Sequence, residues 1–336
     1  MRTQSRILNL VAAVIAASVT VIASAQEPQK QSPEKPVESS QGDQSESIIV
    51  CHYYLTTIKV SVTDGNDRPI PNLSHGDFAI FEDDVEQQIE SWFHDDTSVS
   101  FSLAFDISDY EPLKLMARQV ARGFVGKIRS TDEVTIPQLE ADSRAVLGFA
   151  ADNRSLENVL MEIPSSDNLV GLVDDAIKST AKSRQSPSGA VVVITDGHSF
   201  SGTASDRDAA YAILRRGTPI YFIILDDGHY TARTAAQLRA RQKRSLLTRL
   251  AAASGGLALV VKSKDEISAA TEQIIHRLKN QYTIAYSPTN EKHDGFFRYV
   301  RVTVMPKDKR KVKMFAPSGY YAVDPEKIRK EFFNDK

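Results

Sequence analysis

The sequence predicts an α/β fold built on a doubly wound, mainly parallel sheet, with a small β-sandwich module flanking it. Between Val99 and Gln281, short apolar runs alternate with helical stretches, the pattern that βαβ units produce. Two of the apolar runs end in an acidic residue, Asp106 and Asp196. Because the carboxyl ends of parallel strands meet at one edge of a sheet, we expect both carboxylates to line one crevice there.

The composition is that of a globular protein. Of the 336 residues, 41% are hydrophobic and 25% are charged, and the formal net charge is −2. This charge gives no electrostatic reason to expect nucleic acid or an anionic membrane surface as a partner. The length allows one large or two modest domains, each with its own core.

Residues 1–25 are predicted to be an export signal that is cleaved after Ala25. Arg2 and Arg6 precede the uncharged run Ile7–Ile22, which is followed by small residues. A transmembrane anchor is the alternative, but the run is rather short and rich in Ala, Ser and Thr. We therefore expect a secreted or periplasmic protein with no stable membrane insertion after cleavage.

Residues 26–47 are predicted to form a disordered linker, because they are dominated by Gln, Glu, Ser, Pro and Lys. Cys51 is the one cysteine of the sequence, so no internal disulfide can form in the oxidising compartment that export implies. We expect Cys51 to be a small buried hydrophobe at the start of a strand rather than an intermolecular pairing site.

Two stretches on either side of the α/β region have the period-two pattern of half-buried strands. They cover residues 48–97 and 282–323, and in the first of them Ile58, Val60 and Val62 alternate with polar residues. Each stretch alone is small for an independent β module, so we expect the two to pair into one sandwich with the α/β domain inserted between them. Residues 324–336 form a charged tail.

The α/β domain is predicted to span residues 98–281. Its predicted strands are Val99–Asp106, Glu133–Gln138, Ala145–Phe149, Ala190–Thr195, Pro219–Leu225 and Leu257–Val261. Its predicted helices are Leu113–Ile128, Ser155–Met161, Val170–Lys182, Asp206–Arg215, Thr234–Ala253 and Lys264–Asn280. The connection between the second and third strands is too short for a crossover helix, so these two strands should form an antiparallel hairpin at one edge.

A series of short motifs runs along the chain in a definite order. They are Val62-Thr63-Asp64, Asp77-Phe78, Phe81-Glu82-Asp83, Gln88-Ile89, the Asp106 strand, Thr195-Asp196-Gly197, Gly255-Gly256, Tyr282 to Pro288, Asp294-Gly295 and Gly319-Tyr320. With the export signal, this order resembles the exported VWFA-related proteins of bacteria. The resemblance covers nearly all of the chain from about residue 48, and it implies a von Willebrand factor type A-like domain, whose sheet also carries one antiparallel edge strand.

The resemblance further implies a metal-ion-dependent adhesion site that begins with Asp-x-Ser-x-Ser. Asp106 matches the aspartate, Ser108 the first serine, and Asp196 the aspartate after the fourth strand, so these three are candidate ligands of Mg²⁺ or Mn²⁺. The site is degenerate, since Tyr110 replaces the second serine and Gly171 stands where the second loop would supply a threonine. A phenol is too long to reach a metal from that position, and glycine has no side chain.

The crevice is also predicted to contact a ligand through Asp109, Tyr110, Gly171 and His198. An alternative interpretation gives the same residues purely structural roles, because Asp and Ser are common in helix caps and Asp-Gly is an ordinary turn pair. For His198 alone, a solvated loop histidine is the alternative to a site residue.

The predicted function is that of an exported protein-interaction or adhesion module that binds a protein ligand at the crevice, with or without a weakly bound divalent metal. We do not expect an enzyme, since the nucleophile elbow, the P-loop and the dinucleotide fingerprint are all absent from the sequence. A metal-independent scaffold of an envelope assembly is the main alternative, and a hydrolase using the paired carboxylates is a weaker one. The basic residues between Arg233 and Arg249 are interpreted as a solvated helix face rather than a nucleic-acid surface.

Overall fold

The architecture is taken from a computed structural model of the chain. It describes residues 55–95, 98–129, 131–137, 147–148, 168–181, 189–199, 214, 217–226 and 235–324. The predicted export signal, linker and Cys51 lie outside the described residues, as does the predicted helix Ser155–Met161. The predicted helix Asp206–Arg215 is described only at Leu214, and the charged tail only at Asp324.

Fourteen strands, four α-helices and one short 3₁₀ helix (His75–Asp77) are found in the described part of the chain. The strands are β1 (Thr56–Thr63), β2 (Phe78–Glu82), β3 (Val85–Gln87), β4 (Ile89–Asp95), β5 (Ser100–Asp106), β6 (Glu133–Thr135), β7 (Leu147–Gly148), β8 (Gly189–Thr195), β9 (Ile220–Leu225), β10 (Ala258–Val261), β11 (Gln281–Tyr286), β12 (Phe297–Val304), β13 (Lys313–Phe315) and β14 (Gly319–Tyr321). The helices are α1 (Glu111–Val125), α2 (Leu169–Ala181), α3 (Ala235–Ala253) and α4 (Lys264–Lys279). None of the described helices is both long and apolar enough to cross a membrane.

The central sheet has the strand order β7-β6-β5-β8-β9-β10. Strands β6, β5, β8, β9 and β10 pair in parallel, and β7 pairs antiparallel with β6 at one edge. Numbered by their order along this domain, the six strands lie in the sheet in the order 3-2-1-4-5-6. This is the doubly wound order, in which the direction reverses between the first and fourth strands. The predicted α/β class is therefore confirmed, together with the antiparallel hairpin at the edge.

Helices cover both faces of the central sheet. On one face α1 and α4 pack against the sheet through residues such as Phe124 and Ile274, both fully buried. On the other face α2 and α3 pack against it through residues such as Val173 and Leu247. Because both faces are covered, the central strands are continuous apolar runs: every residue of β9 is buried.

The two flanking stretches form one β-sandwich of two four-stranded antiparallel sheets. One sheet has the order β13-β1-β11-β4 and the other β14-β12-β2-β3, so each sheet combines strands from both ends of the described chain. Their inner faces share a core that includes Val60, Ile80, Ile284 and Val302. This pairing confirms the predicted sandwich.

Candidate functional site

The two predicted carboxylates lie side by side at the switch point of the sheet. Asp106 is the last residue of β5 and Asp196 directly follows β8, and these two strands are parallel neighbours with Asp106 in register with Thr195. The backbone N–H of Asp196 donates to the carbonyl oxygen of Asp106 at 3.2 Å. Open α/β sheets bind their ligands at this position, where the strand order reverses.

Asp106 is fully buried, and hydroxyl groups satisfy its carboxylate. Thr195 Oγ1 donates to Asp106 Oδ2 at 2.5 Å, and Ser199 Oγ donates to Oδ1. Burial raises the pKa of the Asp106 carboxyl above its ordinary value, although the two hydroxyl hydrogen bonds and His198 act in the opposite direction. The alternative in which Asp106 caps the next helix is not observed, since Tyr110 is the N-cap residue of α1.

Asp196 is the acceptor that organises the loops above the sheet. Its Oδ2 accepts the backbone N–H of Ser108 at 3.0 Å and also the Ser108 hydroxyl. Its Oδ1 accepts the backbone N–H of His198 at 3.0 Å and lies 2.7 Å from His198 Nδ1. Burial alone would raise the pKa of the Asp196 carboxyl, but the hydrogen bonds from Ser108 and His198 outweigh it and lower that pKa.

His198 lies beside both carboxylates. Its Nδ1 is 2.7 Å from Asp196 Oδ1 and 3.9 Å from Asp106 Oδ1, and 24% of its side chain is exposed. The preceding Gly197 has a φ of 75°, a left-handed conformation that turns the chain so that His198 lies over the strand ends. The N–H of Gly197 donates to Thr195 Oγ1 at 2.7 Å. The imidazole of His198 therefore lies against both carboxylates and is mostly buried.

The other predicted contact residues have separate positions. Asp109 is 87% exposed and forms an ion pair with Lys114. Tyr110 is partly buried, and its ring packs against the core beneath α1. Gly171 lies in the first turn of α2, where its N–H donates to Asn168 Oδ1 at 3.0 Å. The described contacts therefore bring Asp106, Ser108, Asp196 and His198 together, whereas those of Asp109, Tyr110 and Gly171 are local.

The residues present do not fit the predicted Mg²⁺ or Mn²⁺ site. All four carboxylate oxygens of Asp106 and Asp196 already face internal proton donors, and Ser108 uses its hydroxyl proton on Asp196. At Gly171 a side chain would meet Asn168 Nδ2 at 2.6 Å, so the missing threonine could not be added without displacing Asn168. A hard cation needs several available oxygen ligands, and here the oxygens of Asp106, Ser108 and Asp196 are engaged with one another or with neighbouring groups.

Several residues of the crevice were not identified by sequence reasoning. Lys243 of α3 donates through Nζ to the carbonyl oxygen of Gly197 at 2.8 Å, and Arg244 pairs with Asp226 at 2.7 Å, just after β9. The helix face that was interpreted as solvated therefore contributes two cations to this edge of the sheet. One signal was available: Asp226, like the two central aspartates, follows an apolar strand.

Comparisons with known proteins give likenesses in structure only. No family model matches the chain, and no curated protein sequence matches it. Among solved structures, a von Willebrand factor type A protein from Catenulispora acidiphila is similar with a TM-score of 0.40 and 9% identity, over 77% of this chain and 76% of that one. An aerotolerance-related membrane protein from Bacteroides fragilis NCTC 9343, with multiple mutations to serines, is similar with a TM-score of 0.37 and 18% identity, over 54% of this chain and 98% of that one.

The fold places this site in a doubly wound α/β domain. The domain has the antiparallel edge strand that the sequence predicted and is inserted in a β-sandwich. At its switch point, carboxylates, hydroxyls and one imidazole form a network of hydrogen bonds.

Proposed function

We propose that this protein is an interaction module that binds a protein ligand at the crevice above β5 and β8 and does so without a divalent cation. The observation that carries the proposal is the satisfied network of Asp106, Ser108, Asp196 and His198 at the switch point. A network with internal partners holds the surrounding loops in one conformation, and a preorganised surface loses less entropy on binding.

The rim of the crevice supplies groups suited to a protein surface. Asp109, next to Ser108 in the sequence, carries an exposed carboxylate. Part of the His198 side chain is also exposed. The partly buried ring of Tyr110 adds an aromatic group, a residue type enriched in the energetic centres of interfaces.

A binding experiment tests this proposal at exposed positions, where substitutions leave the fold intact. Cross-linking and pull-down from the native envelope should recover a partner with the wild-type protein and lose it with Asp109→Lys. The matched control is Asp84→Lys, which reverses the charge of a carboxylate that is 94% exposed on the β-sandwich. Equal recovery by the wild type and the Asp109→Lys variant would overturn the role of the crevice.

The metal dependence is tested separately. We expect that Mg²⁺ or Mn²⁺ does not raise the melting midpoint of the wild-type protein, and that a chelator does not release the partner. A midpoint that rises with metal concentration in the wild type and stays constant in Asp106→Ala would restore the metal-dependent interpretation. In this proposal the chain binds and does not catalyse, so hydrolysis of any substrate that Asp196→Ala abolishes would contradict it.

One observation favours the scaffold as a second candidate function. In β12 of the β-sandwich Tyr299 is 69% exposed, and Phe296, just before this strand, is 70% exposed, whereas large aromatic side chains are usually buried. A partner lost with Tyr299→Ala but retained by Asp109→Lys would move the interaction to this face. For either function we propose a secreted or periplasmic location, supported by Arg2, Arg6 and the apolar run after them.

A further inference from the structure

A cavity at one end of the β-sandwich lies apart from the crevice described above. It has a volume of about 540 Å³ and is bounded by two connections, residues 64–77 before β2 and residues 306–310 after β12. Volumes of this size are typical of sites for small molecules.

Both walls of the cavity are fixed before any ligand arrives. In the first wall the hydroxyl of Tyr282 accepts the N–H of Leu73 at 3.0 Å and donates to the carbonyl oxygen of Ile70. The walls are joined where the N–H of Met305 donates to the carbonyl oxygen of Asp77 at 2.8 Å. Three prolines stiffen the lining, namely Pro69, Pro71 and Pro306.

The acidic side chains of the cavity are occupied by their own neighbours. Asp64 accepts the N–H groups of Asn66 and Arg68 on one oxygen and Arg68 Nε on the other. Asp308 accepts the backbone N–H and the side chain of Arg310. Asp77 binds Ser74 through Oδ2, and its Oδ1 is sealed from solvent.

Each basic side chain of the cavity has at least one N–H donor that no described residue accepts. Arg68 uses only Nε for Asp64, and among the described residues neither of its Nη atoms has a partner. Lys307 forms no ion pair with a described residue, although its ammonium lies near enough to Asp77 to help Ser74 lower the pKa of that carboxyl. Arg310, the third cation of the lining, uses Nε and Nη2 for Asp308, and its Nη1 has no partner among the described residues.

We propose that this cavity binds a small ligand through its carboxylate or phosphate groups, held by Arg68, Lys307 and Arg310. Guanidinium groups match the planar geometry of carboxylates and phosphates, and an ammonium adds a strong point charge. The neutral part of the ligand packs on the proline-lined wall.

Calorimetric titration with citrate and with inorganic phosphate, at an ionic strength held constant with NaCl, tests the proposal. Saturable binding of either probe is expected, and the preferred probe identifies the oxyanion. Arg68→Gln and Lys307→Gln should each weaken binding about fivefold, because each removes charge-assisted hydrogen bonds at an exposed position. Both side chains are at the surface, so the variants are expected to fold.

The matched control is Lys311→Gln, an exposed position one residue beyond the cavity lining. It should leave the affinity within twofold of the wild type. Absence of saturable binding by both probes, or an equal loss in the Lys311→Gln variant, would overturn the proposal. The Asp109→Lys variant should bind citrate normally, so this site and the proposed crevice function can fail independently.

Discussion

Ser108 donates both its backbone N–H and its hydroxyl to one oxygen of Asp196, a residue 88 positions later in the chain. Through this double contact the loop after β5 is attached to the loop after β8. The other oxygen of Asp196 accepts the backbone N–H of His198, so a single carboxylate positions both loops of the crevice.

The two carboxylates should respond differently to loss of charge. We expect Asp196→Asn to lower the free energy of unfolding by about 2 kcal/mol. The backbone N–H groups of Ser108 and His198 donate to different oxygens of Asp196, and one of them would face the NH₂ group of the asparagine, to which it cannot donate. Asp106→Asn should cost less, since the hydroxyls of Thr195 and Ser199 can rotate to accept. Urea unfolding at neutral pH measures both variants, and a larger cost for Asp106→Asn would contradict this account.

The pH dependence of stability should have opposite signs for the same two groups. The pKa of Asp196 is lowered in the folded state, so its contribution to stability is present above the ordinary value of 3.8 and is lost as the pH falls through the folded-state pKa. The pKa of Asp106 is raised, so its contribution is present below that value and is lost as the pH rises through the folded-state pKa. In a urea series between about pH 3 and 7, acidification should therefore shrink the deficit of Asp196→Asn and enlarge that of Asp106→Asn. Parallel curves for the two variants would refute the assignment.

A second buried carboxylate, Asp132, joins three elements at the opposite end of the domain. It accepts the N–H of Val99 at 3.0 Å and the N–H of Arg129 at 2.7 Å, and it pairs with Lys279 at the end of α4 at 2.7 Å. Burial opposes its ionisation, but these donors lower the pKa of Asp132. We expect Asp132→Asn to destabilise the protein by about 3 kcal/mol at neutral pH, because it removes the carboxylate partner of a largely buried ammonium.

The matched control for this prediction is Asp175→Asn, which removes a carboxylate that is 69% exposed and 3.9 Å from Lys178. Its effect should stay within about 0.5 kcal/mol. Equal urea midpoints for Asp132→Asn and the wild type would show that the buried contacts do not stabilise the domain.

The sequence predicted where the crevice lies in the sheet, but it did not predict the hydrogen bonds within the crevice. Apolar runs predicted β5 and β8, and the parallel pattern placed Asp106 and Asp196 at the same edge of the sheet, because the carboxyl ends of parallel strands share that edge. That β5 and β8 are direct neighbours is shown by the structure. The metal site was inferred from a resemblance to a spaced motif. Residue types at matching positions do not reveal that each carboxylate oxygen already has a donor.

Long-range side-chain contacts explain what was missed. His198 and Ser199 follow a recognised turn, yet their partners include Asp106, 93 positions before Ser199. Lys243 belongs to a helix whose basic residues look uniformly solvated in the sequence, and only the packing of α3 brings its ammonium 46 positions back to Gly197. Periodicity assigns a helix face but not the groups opposite that face.

The loss of stability at alkaline pH should depend on a cluster of two tyrosines and one glutamate that joins the two sheets of the sandwich. The hydroxyls of Tyr286 and Tyr320 donate to Glu82 Oε2 at 2.8 and 2.9 Å. Burial, with nearby Glu82, raises the pKa of Tyr286 and raises the pKa of Tyr320 to about 12. This contribution is fully present below the ordinary value of 10.0 and is lost as the pH rises through the folded-state values.

Replacing these phenols should therefore flatten the loss of stability above pH 10. We expect a smaller alkaline slope for Tyr320→Phe and a smaller one again for the double variant with Tyr286→Phe, measured by urea unfolding from about pH 9 to 12. Tyr299→Phe, at an exposed position, is the control and should retain the wild-type slope. An unchanged slope in the double variant would remove this cluster from the alkaline transition.

Replacing Gly256, which precedes the edge strand β10, should strongly lower the stability of the protein. A Cβ at this position would lie 1.9 Å from the carbonyl oxygen of Ile220, the first residue of β9, and a backbone atom cannot move aside as a flexible side chain can. The close approach lets the chain leave α3 and enter β10 beside β9. We expect Gly256→Ala to destabilise the protein by at least about 3 kcal/mol, since overpacking would force the two strands apart.

Gly76→Ala, where a Cβ meets nothing within 4 Å, should change stability by no more than about 0.5 kcal/mol. Urea unfolding of both variants checks this, and a Gly256→Ala protein as stable as the Gly76→Ala protein would mean that β9 and the β10 entry do not need the contact.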